Sequence, residues 1–202
     1  MREEGEVMRR WNRPAFFSAC VMCLVLLAPA SSEAGPRSTQ DGLDARLVER
    51  GPASLAEADL ARTFRNPAKD LYTGGQPTAE QLQQAATAGI TTVIDLRQPT
   101  EDRGFDETAT AASLGLHYVR IPVAGAAGLT PAKVQALQAA LAKANGPVLL
   151  HCASGNRVGA LLALMKAQQG ASTEQALQFG REAGMTSLEA QTRTLLEQDP
   201  TR

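Results

Sequence analysis

The hydrophobic and polar positions of this chain follow two periodicities from about residue 66 onward. Short runs of β-branched and apolar residues predict strands at 71–73, 91–95, 117–121 and 147–151. Helix start and stop signals predict helices at 78–89, 107–114, 130–146, 157–170, 173–179 and 186–198. The clearest of these signals are Thr78 with Gln81, Thr130 with Pro131, and Thr186 with Glu189.

The alternation of strands with helices predicts the fold class. It is typical of an α/β domain, with a central, mainly parallel sheet flanked by helices. The mostly apolar run at 147–151 indicates a strand that is buried on both faces. Ligands bind such sheets at the carboxyl ends of the strands. We therefore expect residues 95–101, 122–130 and 152–157 to surround one crevice.

The N-terminal segment has a different pattern. An apolar stretch at 15–30 follows Arg9, Arg10 and Arg13, and small residues come after it. This arrangement predicts a secretory signal peptide at 1–34, and a retained membrane anchor or a buried helix are the alternatives. The polar stretch at 35–65 is expected to hold a linker and the edge of the domain, with room for a short helix. Residues 66–202 then form the domain, in the periplasm or outside the cell, or anchored to the membrane if the signal is uncleaved.

Composition and charge narrow the choice of function. The chain has 202 residues, 44% of them apolar, and a formal net charge of -1. This balance argues against nucleic acid as a partner and against a polybasic membrane surface. Aromatic residues make up 4% of the chain, too few for base-stacking platforms or aromatic cages.

The three cysteines divide between the two parts of the chain. Cys20 and Cys23 lie in the expected signal peptide, which leaves Cys152 as the cysteine of the exported part. A lone cysteine in an oxidising compartment has no intramolecular partner, so Cys152 is either buried and inert or a reactive thiol. With two histidines and one exported cysteine, we expect no metal site and no other cofactor.

The segment around Cys152 carries the most specific chemical signal. A buried strand ends at His151 and Cys152, a short loop follows, and Arg157 opens a helix. Free backbone N–H groups at a helix N-terminus form a cradle for anions, and the same field favours a thiolate. Gly155 permits the backbone turn, and the planar Arg157 guanidinium can pair with an oxyanion. The segment therefore combines a nucleophile, an anion nest and a fixed positive charge.

The His-Cys-x-x-Gly-x-Arg pattern resembles the cysteine-based phosphatase superfamily. The similarity is greatest to the phosphatase-like domain of β-lactamase-hydrolase-like proteins. It extends over roughly residues 65–168, with further matching segments at 72–77, 92–97 and 115–118. The resemblance implies a cysteine-phosphatase-like fold with a Cys-x4-Arg anion loop between a buried strand and a helix.

The resemblance also implies residue roles. Cys152 would be the nucleophile and form a phosphocysteine, and Arg157 would bind the phosphoryl oxygens. The backbone amides of the loop would surround those oxygens, and they belong to Ala153, Ser154, Gly155, Asn156 and Arg157. His151 would help to order the loop. Asp95 and Arg97, at a neighbouring strand end, either line the site or form a structural ion pair.

Three departures from the phosphatase pattern affect these expectations. Four residues separate Cys152 from Arg157 where phosphatases have five, and the shorter spacing is similar to rhodanese-type sulfurtransferases. Val158 occupies the position of a Ser or Thr whose hydroxyl helps the cysteine to leave. The stretch 121–128, which should carry a general acid, has no carboxylate. The candidates to replace that acid are Asp95, Glu101, Asp102 and Asp106.

These observations leave three functions open. The first is an exported, cysteine-dependent hydrolase of phosphomonoesters, with a phosphorylated small molecule or phosphoprotein as its partner. The second is a rhodanese-like sulfurtransferase that carries a persulfide on Cys152. The third is a non-catalytic phosphate-binding module on the same fold. The sequence gives no clear sign of an oligomeric state.

Overall fold

The computed structural model describes residues 52–198 of the chain. The expected signal peptide at 1–34 lies outside the described residues, as does most of the expected linker. Seven α-helices are present among the described residues: α1 (Pro52–Thr63), α2 (Ala79–Thr87), α3 (Glu107–Ser113), α4 (Pro131–Lys143), α5 (Asn156–Gln168), α6 (Thr173–Glu182) and α7 (Glu189–Gln198). Five strands accompany them: β1 (Arg65–Ala68), β2 (Leu71–Gly74), β3 (Thr92–Asp95), β4 (His117–Arg120) and β5 (Val148–His151).

The strands form one sheet in the order β1-β2-β5-β3-β4. The pairs β2–β5, β5–β3 and β3–β4 are parallel, and β1 pairs antiparallel with β2 at one edge. The α/β fold with a mainly parallel sheet is therefore confirmed. Central β5 is buried along its whole length, as its apolar sequence predicts.

The two faces of the sheet bury different clusters of side chains. On one face Ile94, Leu150 and Cys152 pack with residues of α4, α5, α6 and α7. On the other face Val93 and Leu149 pack with residues of α1, α2 and α3. Because successive side chains of a strand alternate between faces, His151 and Cys152 point to opposite sides of the sheet.

Local capping explains several helix boundaries. Thr78 and Gln81 form the predicted capping box at the start of α2, with bonds of 2.9 and 3.2 Å. Pro131 begins α4 after the Thr130 cap, also as predicted. Helix α7 differs from prediction, because it begins at Glu189 rather than near Thr186. The Thr186 N–H donates to Asn156 Oδ1 (2.9 Å), so that backbone segment is tied to α5 instead of starting a helix.

Two further features differ in detail from the sequence pattern. Helix α1 occupies part of the stretch expected to hold the linker and domain edge, and it brings Leu60 into the core. Strand β1 pairs with β2 at a position where the pattern predicts no strand. Within residues 52–198, no helix has both the length and the apolar composition required to cross a membrane.

Candidate active site

The loop that follows β5 places Cys152 at the N-terminus of α5. Cys152 is 1% exposed, and its Sγ accepts a hydrogen bond from the Gly155 N–H (3.2 Å). Gly155 has a φ of +86°, a left-handed conformation that residues with a Cβ rarely adopt. This turn directs a backbone donor towards the sulfur, and a donor in that position stabilises a thiolate.

The end of β2 supports the loop from one side. The Gly74 carbonyl accepts from the Cys152 N–H (3.3 Å), and the Gln76 N–H donates to the Ala153 carbonyl (3.2 Å). A Cβ on Gly75 would lie 3.0 Å from the Ala153 carbonyl oxygen, so this close backbone approach favours glycine. Gly74 and Gly75 therefore support the cysteine loop.

Asn156 supports the loop from the opposite side. Its Oδ1 accepts from the backbone N–H groups of Thr186 (2.9 Å) and Leu188 (3.3 Å). Its Nδ2 donates to the Ser187 hydroxyl (2.7 Å). The Asn156 side chain thus fixes the segment before α7, and Ala153 and Ser154 are the exposed residues of the loop.

Arg157 connects the three segments that were expected to surround one crevice. Its two terminal nitrogens donate to the two carboxylate oxygens of Glu101, both at 2.7 Å. Nη1 also donates to the Val123 carbonyl (2.9 Å). The hydrogen-bonded Glu101 raises the pKa of Arg157, and nearby Cys152 acts in the same direction against the effect of burial. Residues from 95–101, 122–130 and 152–157 therefore meet at this guanidinium.

Glu101 is the centre of a network with two arginines. Its Oε2 also accepts from Arg97 Nε (3.2 Å). Arg97 is held in turn by the Gln76 side chain (2.6 Å) and the Asp102 carbonyl (2.6 Å). The hydrogen bonds from Arg157 are the largest of the interactions that lower the pKa of Glu101 to about 2. Arg97 is therefore connected to Arg157 by hydrogen bonds through Glu101.

Asp95 lies in a buried ionic cluster on the sheet face opposite Cys152. Its Oδ2 accepts from Arg103 Nη2 (2.6 Å) and from the Tyr118 hydroxyl (2.7 Å), and its Oδ1 accepts from the Arg97 N–H (2.7 Å). Burial works to raise the pKa of Asp95. The charge of His151 and these hydrogen bonds outweigh burial and hold that pKa below its ordinary value. Of the two expected roles, Asp95 takes that of a structural ion pair.

The four carboxylates considered as replacements for a general acid are all engaged. Asp95 and Glu101 have lowered pKa values, so they are ionised at neutral pH. Asp102 accepts from the Gly104 N–H (2.8 Å), and Asp106 caps α3 by accepting from the Ala109 N–H (2.9 Å). Two of the four groups are thus ionised, and Asp102 and Asp106 each use one oxygen to bind a backbone N–H.

Three of the buried cluster residues offer atoms that could hold a metal ion. One atom each from Asp95, Glu107 and His151 lie within 4.8 Å of one another. However, the Arg103 guanidinium contacts both carboxylates, at 2.6 Å from Asp95 and 3.5 Å from Glu107. The position that a cation would take therefore already has an arginine beside it, and we assign no metal there.

The sequence matches a known family over most of the described domain. Residues 55–200 match PTP-NADK, a family described as a DSP-PTPase phosphatase fused to NAD+ kinase. The chain belongs to this family. The resemblance to cysteine-based phosphatases, inferred from the Cys152 segment, is thereby confirmed.

Two bacterial relatives extend this result. The β-lactamase hydrolase-like protein of Xylella fastidiosa is 36% identical over 104 residues, which cover 50% of this chain and 24% of that protein. The corresponding protein of Agrobacterium fabrum is 33% identical over the same length and the same shares of the two chains. The chain thus matches about a quarter of the length of these relatives.

Solved structures agree with the fold. A phosphatase-like protein of Neisseria meningitidis superposes with a TM-score of 0.59 at 24% identity, covering 69% of this chain and 99% of the other. The catalytic core of the PP-IP phosphatase SIW14 from S. cerevisiae gives a TM-score of 0.53 at 18% identity, covering 67% and 84%. At these identities the likeness establishes the PTP-like fold alone.

Sequence reasoning missed two parts of the site. It considered Glu101 as an acid and not as the partner of Arg157, and it did not single out Glu107 or Arg103. Glu107 stands in the first turn of a short helix, where acidic residues are common on exposed surfaces. Its complete burial depends on the packing of α3 against the sheet, which no local signal in the sequence indicates.

Proposed function

We propose that this protein is a cysteine-dependent phosphatase that hydrolyses phosphomonoesters through a phosphocysteine on Cys152. The observation that carries this proposal is that one helix N-terminus holds Cys152 Sγ, the Gly155 N–H that donates to it, and the nearby Arg157 side chain. A thiolate, backbone donors and a planar cation together suit a substrate that carries a phosphoryl group. Membership of a phosphatase family supports the same reaction.

The proposed reaction has two steps. In the first, the Cys152 thiolate attacks phosphorus, so an S–P bond forms while the P–O bond to the leaving group breaks. In the second, water attacks the phosphocysteine, so a P–O bond forms and the S–P bond breaks, which releases phosphate and restores the thiolate. Arg157 and the amides of residues 153–157 would neutralise the charge on the phosphoryl oxygens in both steps.

The proton for the leaving group is expected to come from solvent. The carboxylates near the site are ionised or engaged in structural hydrogen bonds, and the stretch 121–128 has none. General acid catalysis typically contributes roughly 10²–10⁴-fold. The enzyme should therefore prefer substrates whose leaving groups are stable as anions, such as aryl phosphates.

The substrate and location form part of the same proposal. We infer that the partner is a phosphorylated small molecule or a phosphoprotein outside the cytoplasm, because the pattern at 1–34 is typical of a secretory signal peptide. Fractionation of expressing cells, followed by mass spectrometry of the mature N-terminus, tests this location. A cytoplasmic protein that begins at Met1 would contradict it.

A paired assay on the purified protein tests the function. One arm measures hydrolysis of an activated aryl phosphate, and the other measures sulfur transfer from thiosulfate to cyanide. The second arm is included because the four-residue spacing between Cys152 and Arg157 suits a sulfurtransferase. We expect hydrolysis in the wild type, loss of it in Cys152→Ser, and no sulfur transfer. Sulfur transfer without hydrolysis would favour the persulfide enzyme, and phosphate binding without turnover would favour a binding module.

A further inference from the structure

A buried histidine and a buried glutamate meet directly behind the cysteine loop. His151 and Glu107 are both 0% exposed, and His151 Nε2 lies 3.0 Å from Glu107 Oε1. The approach is out of line for a hydrogen bond, so the two groups meet as close, buried polar neighbours. Within residues 52–198 neither atom has a hydrogen-bond partner. Each group therefore depends on the other for the compensation that a buried polar atom requires.

The rest of the cluster leaves this pairing intact. Asp95 is satisfied by Arg103 and Tyr118, which donate to it at 2.6 and 2.7 Å. Glu107 Oε2 lies 3.3 Å from the same Tyr118 hydroxyl and 3.5 Å from Arg103 Nε. The remaining carboxylate oxygen, Oε1, faces the imidazole of His151.

The position of His151 in the chain connects this pair to the nucleophile. His151 ends β5, and its carbonyl accepts from the Leu96 N–H (2.9 Å). The next residue is Cys152, whose side chain points to the other face of the sheet. A movement of the His151 side chain would therefore shift the strand end from which the cysteine loop departs.

We propose that Glu107 is a positioning residue for the Cys152 loop and acts through His151. Its carboxylate fixes the imidazole in one place at the end of β5, one residue from Cys152. His151 is covalently next to Cys152, whereas Glu107 lies beyond it on the far face. A fixed His151 side chain therefore fixes the strand end from which the loop presents the Gly155 N–H to Cys152 Sγ. This role concerns the same site as the proposed function and rests on its thiolate chemistry.

The test is the rate at which Cys152 reacts with iodoacetamide in the full chain, followed on the Cys152 peptide by mass spectrometry. Iodoacetamide reacts with the thiolate form of cysteine, so its rate reports the reactivity of Cys152 without a phosphatase substrate. We expect Glu107→Gln to slow alkylation at pH 7 about tenfold and to move the pH profile to higher pH. Aryl phosphate hydrolysis should lose kcat to a similar extent, with KM changed less than about twofold. The titratable and charged groups of the cluster that includes His151 are Asp95 and Glu107, together with their partners Arg103, Tyr118 and Arg120.

Three further variants separate positioning from general stability. Asp106→Asn changes the adjacent, exposed cap of α3 and should leave the alkylation profile of Cys152 unchanged. Glu107→Asp keeps the charge and should recover most of the rate even if Glu107→Gln folds poorly. In a double-mutant cycle, Glu107→Gln should slow alkylation little further when His151→Asn is already present, because both substitutions remove the same contact between Glu107 and His151.

The outcomes distinguish this proposal from the proposed function. If wild-type Cys152 reacts no faster than a simple thiol, the thiolate chemistry of the proposed function is wrong. If the wild type reacts fast and Glu107→Gln reacts equally fast at the same pH, the positioning role of Glu107 is wrong. Additive losses in the double-mutant cycle would also overturn it.

Discussion

The ion pair between Glu101 and Arg157 is expected to make the unfolding free energy of the domain depend on pH. Replacement of Glu101 by glutamine keeps the size of the side chain but removes the charge that two arginines share. Two hydrogen bonds to Arg157, both 2.7 Å, and one to Arg97 at 3.2 Å become weaker. We expect Glu101→Gln to unfold more easily than the wild type at neutral pH.

The magnitude follows from the lowered pKa. A pKa of about 2 in place of the ordinary 4.5 sets a ceiling of about 3 kcal/mol on the contribution of the ionised group, at roughly 1.4 kcal/mol per pKa unit. The Glu101 side chain is 25% exposed, so solvent screens part of this interaction. The expected loss of unfolding free energy in Glu101→Gln is therefore about 1–2 kcal/mol at pH 7.

The sign of the pH dependence is fixed by the direction of the shift. A carboxyl whose folded pKa is lowered stabilises the folded state fully above its unfolded pKa. That stability is lost as pH falls from 4.5 towards about 2, because the unfolded state takes up the proton first. The difference between wild type and Glu101→Gln should therefore shrink across this window.

Urea unfolding followed by circular dichroism, at pH values from 7 to 3, measures this difference. Glu182→Gln is a matched control, because Glu182 is exposed and accepts a hydrogen bond from the Gln178 amide (2.9 Å). The control should unfold like the wild type at each pH. A Glu101→Gln variant as stable as the wild type at pH 7, or one equally destabilised at pH 3 and pH 7, would refute the reasoning.

Three other predictions follow from the site and its support. Arg157→Lys should weaken binding of inorganic phosphate about tenfold or more in calorimetry, since lysine lacks the planar fork, and unchanged binding would place the anion elsewhere. Gly159→Ala should cost about 1–3 kcal/mol in urea unfolding, because a Cβ there would lie 2.3 Å from the Gly180 carbonyl oxygen and the Met185 nitrogen. The exposed Gln83→Ala serves as its control and should change stability by less than about 0.5 kcal/mol. Across a series of aryl phosphates, kcat/KM should fall steeply as the leaving-group pKa rises, with the same slope in Asp106→Asn; a flat series would indicate a general acid.

The fold was predictable from the sequence because its signals are local. Strand β5 is a continuous apolar run, and the cap of α2 needs only two residues three positions apart. Strand β1 was not predictable, because its sequence, Arg-Asn-Pro-Ala, has neither an apolar run nor a β-branched residue. It forms as an edge strand by pairing with β2, and edge strands are where proline is tolerated.

The site was predictable only for residues that lie close together in the sequence. Cys152, Gly155 and Arg157 lie within six residues, so one strand–loop–helix unit fixes their geometry. Glu101 reaches Arg157 across 56 positions, and no local pattern indicates that contact. The start of α7 shows the same limit, since the Asn156 side chain, 30 residues earlier, captures the Thr186 N–H.

One segment explains why this site has carboxylates but no evident acid. The stretch from β3 to the first turn of α3 carries Asp95, Glu101, Asp102, Asp106 and Glu107. Glu101 pairs with Arg157 in front of the cysteine loop, and Glu107 faces His151 behind it. The pKa of Glu101 is lowered to about 2, chiefly by Arg157, so Glu101 is ionised at neutral pH and cannot also donate a proton. A net charge of -1 is therefore compatible with the proposed anion site, because that site depends on local charges such as Arg157 and not on the charge of the whole chain. In the proposed phosphatase reaction, this placement should restrict fast turnover to substrates whose leaving groups need no proton.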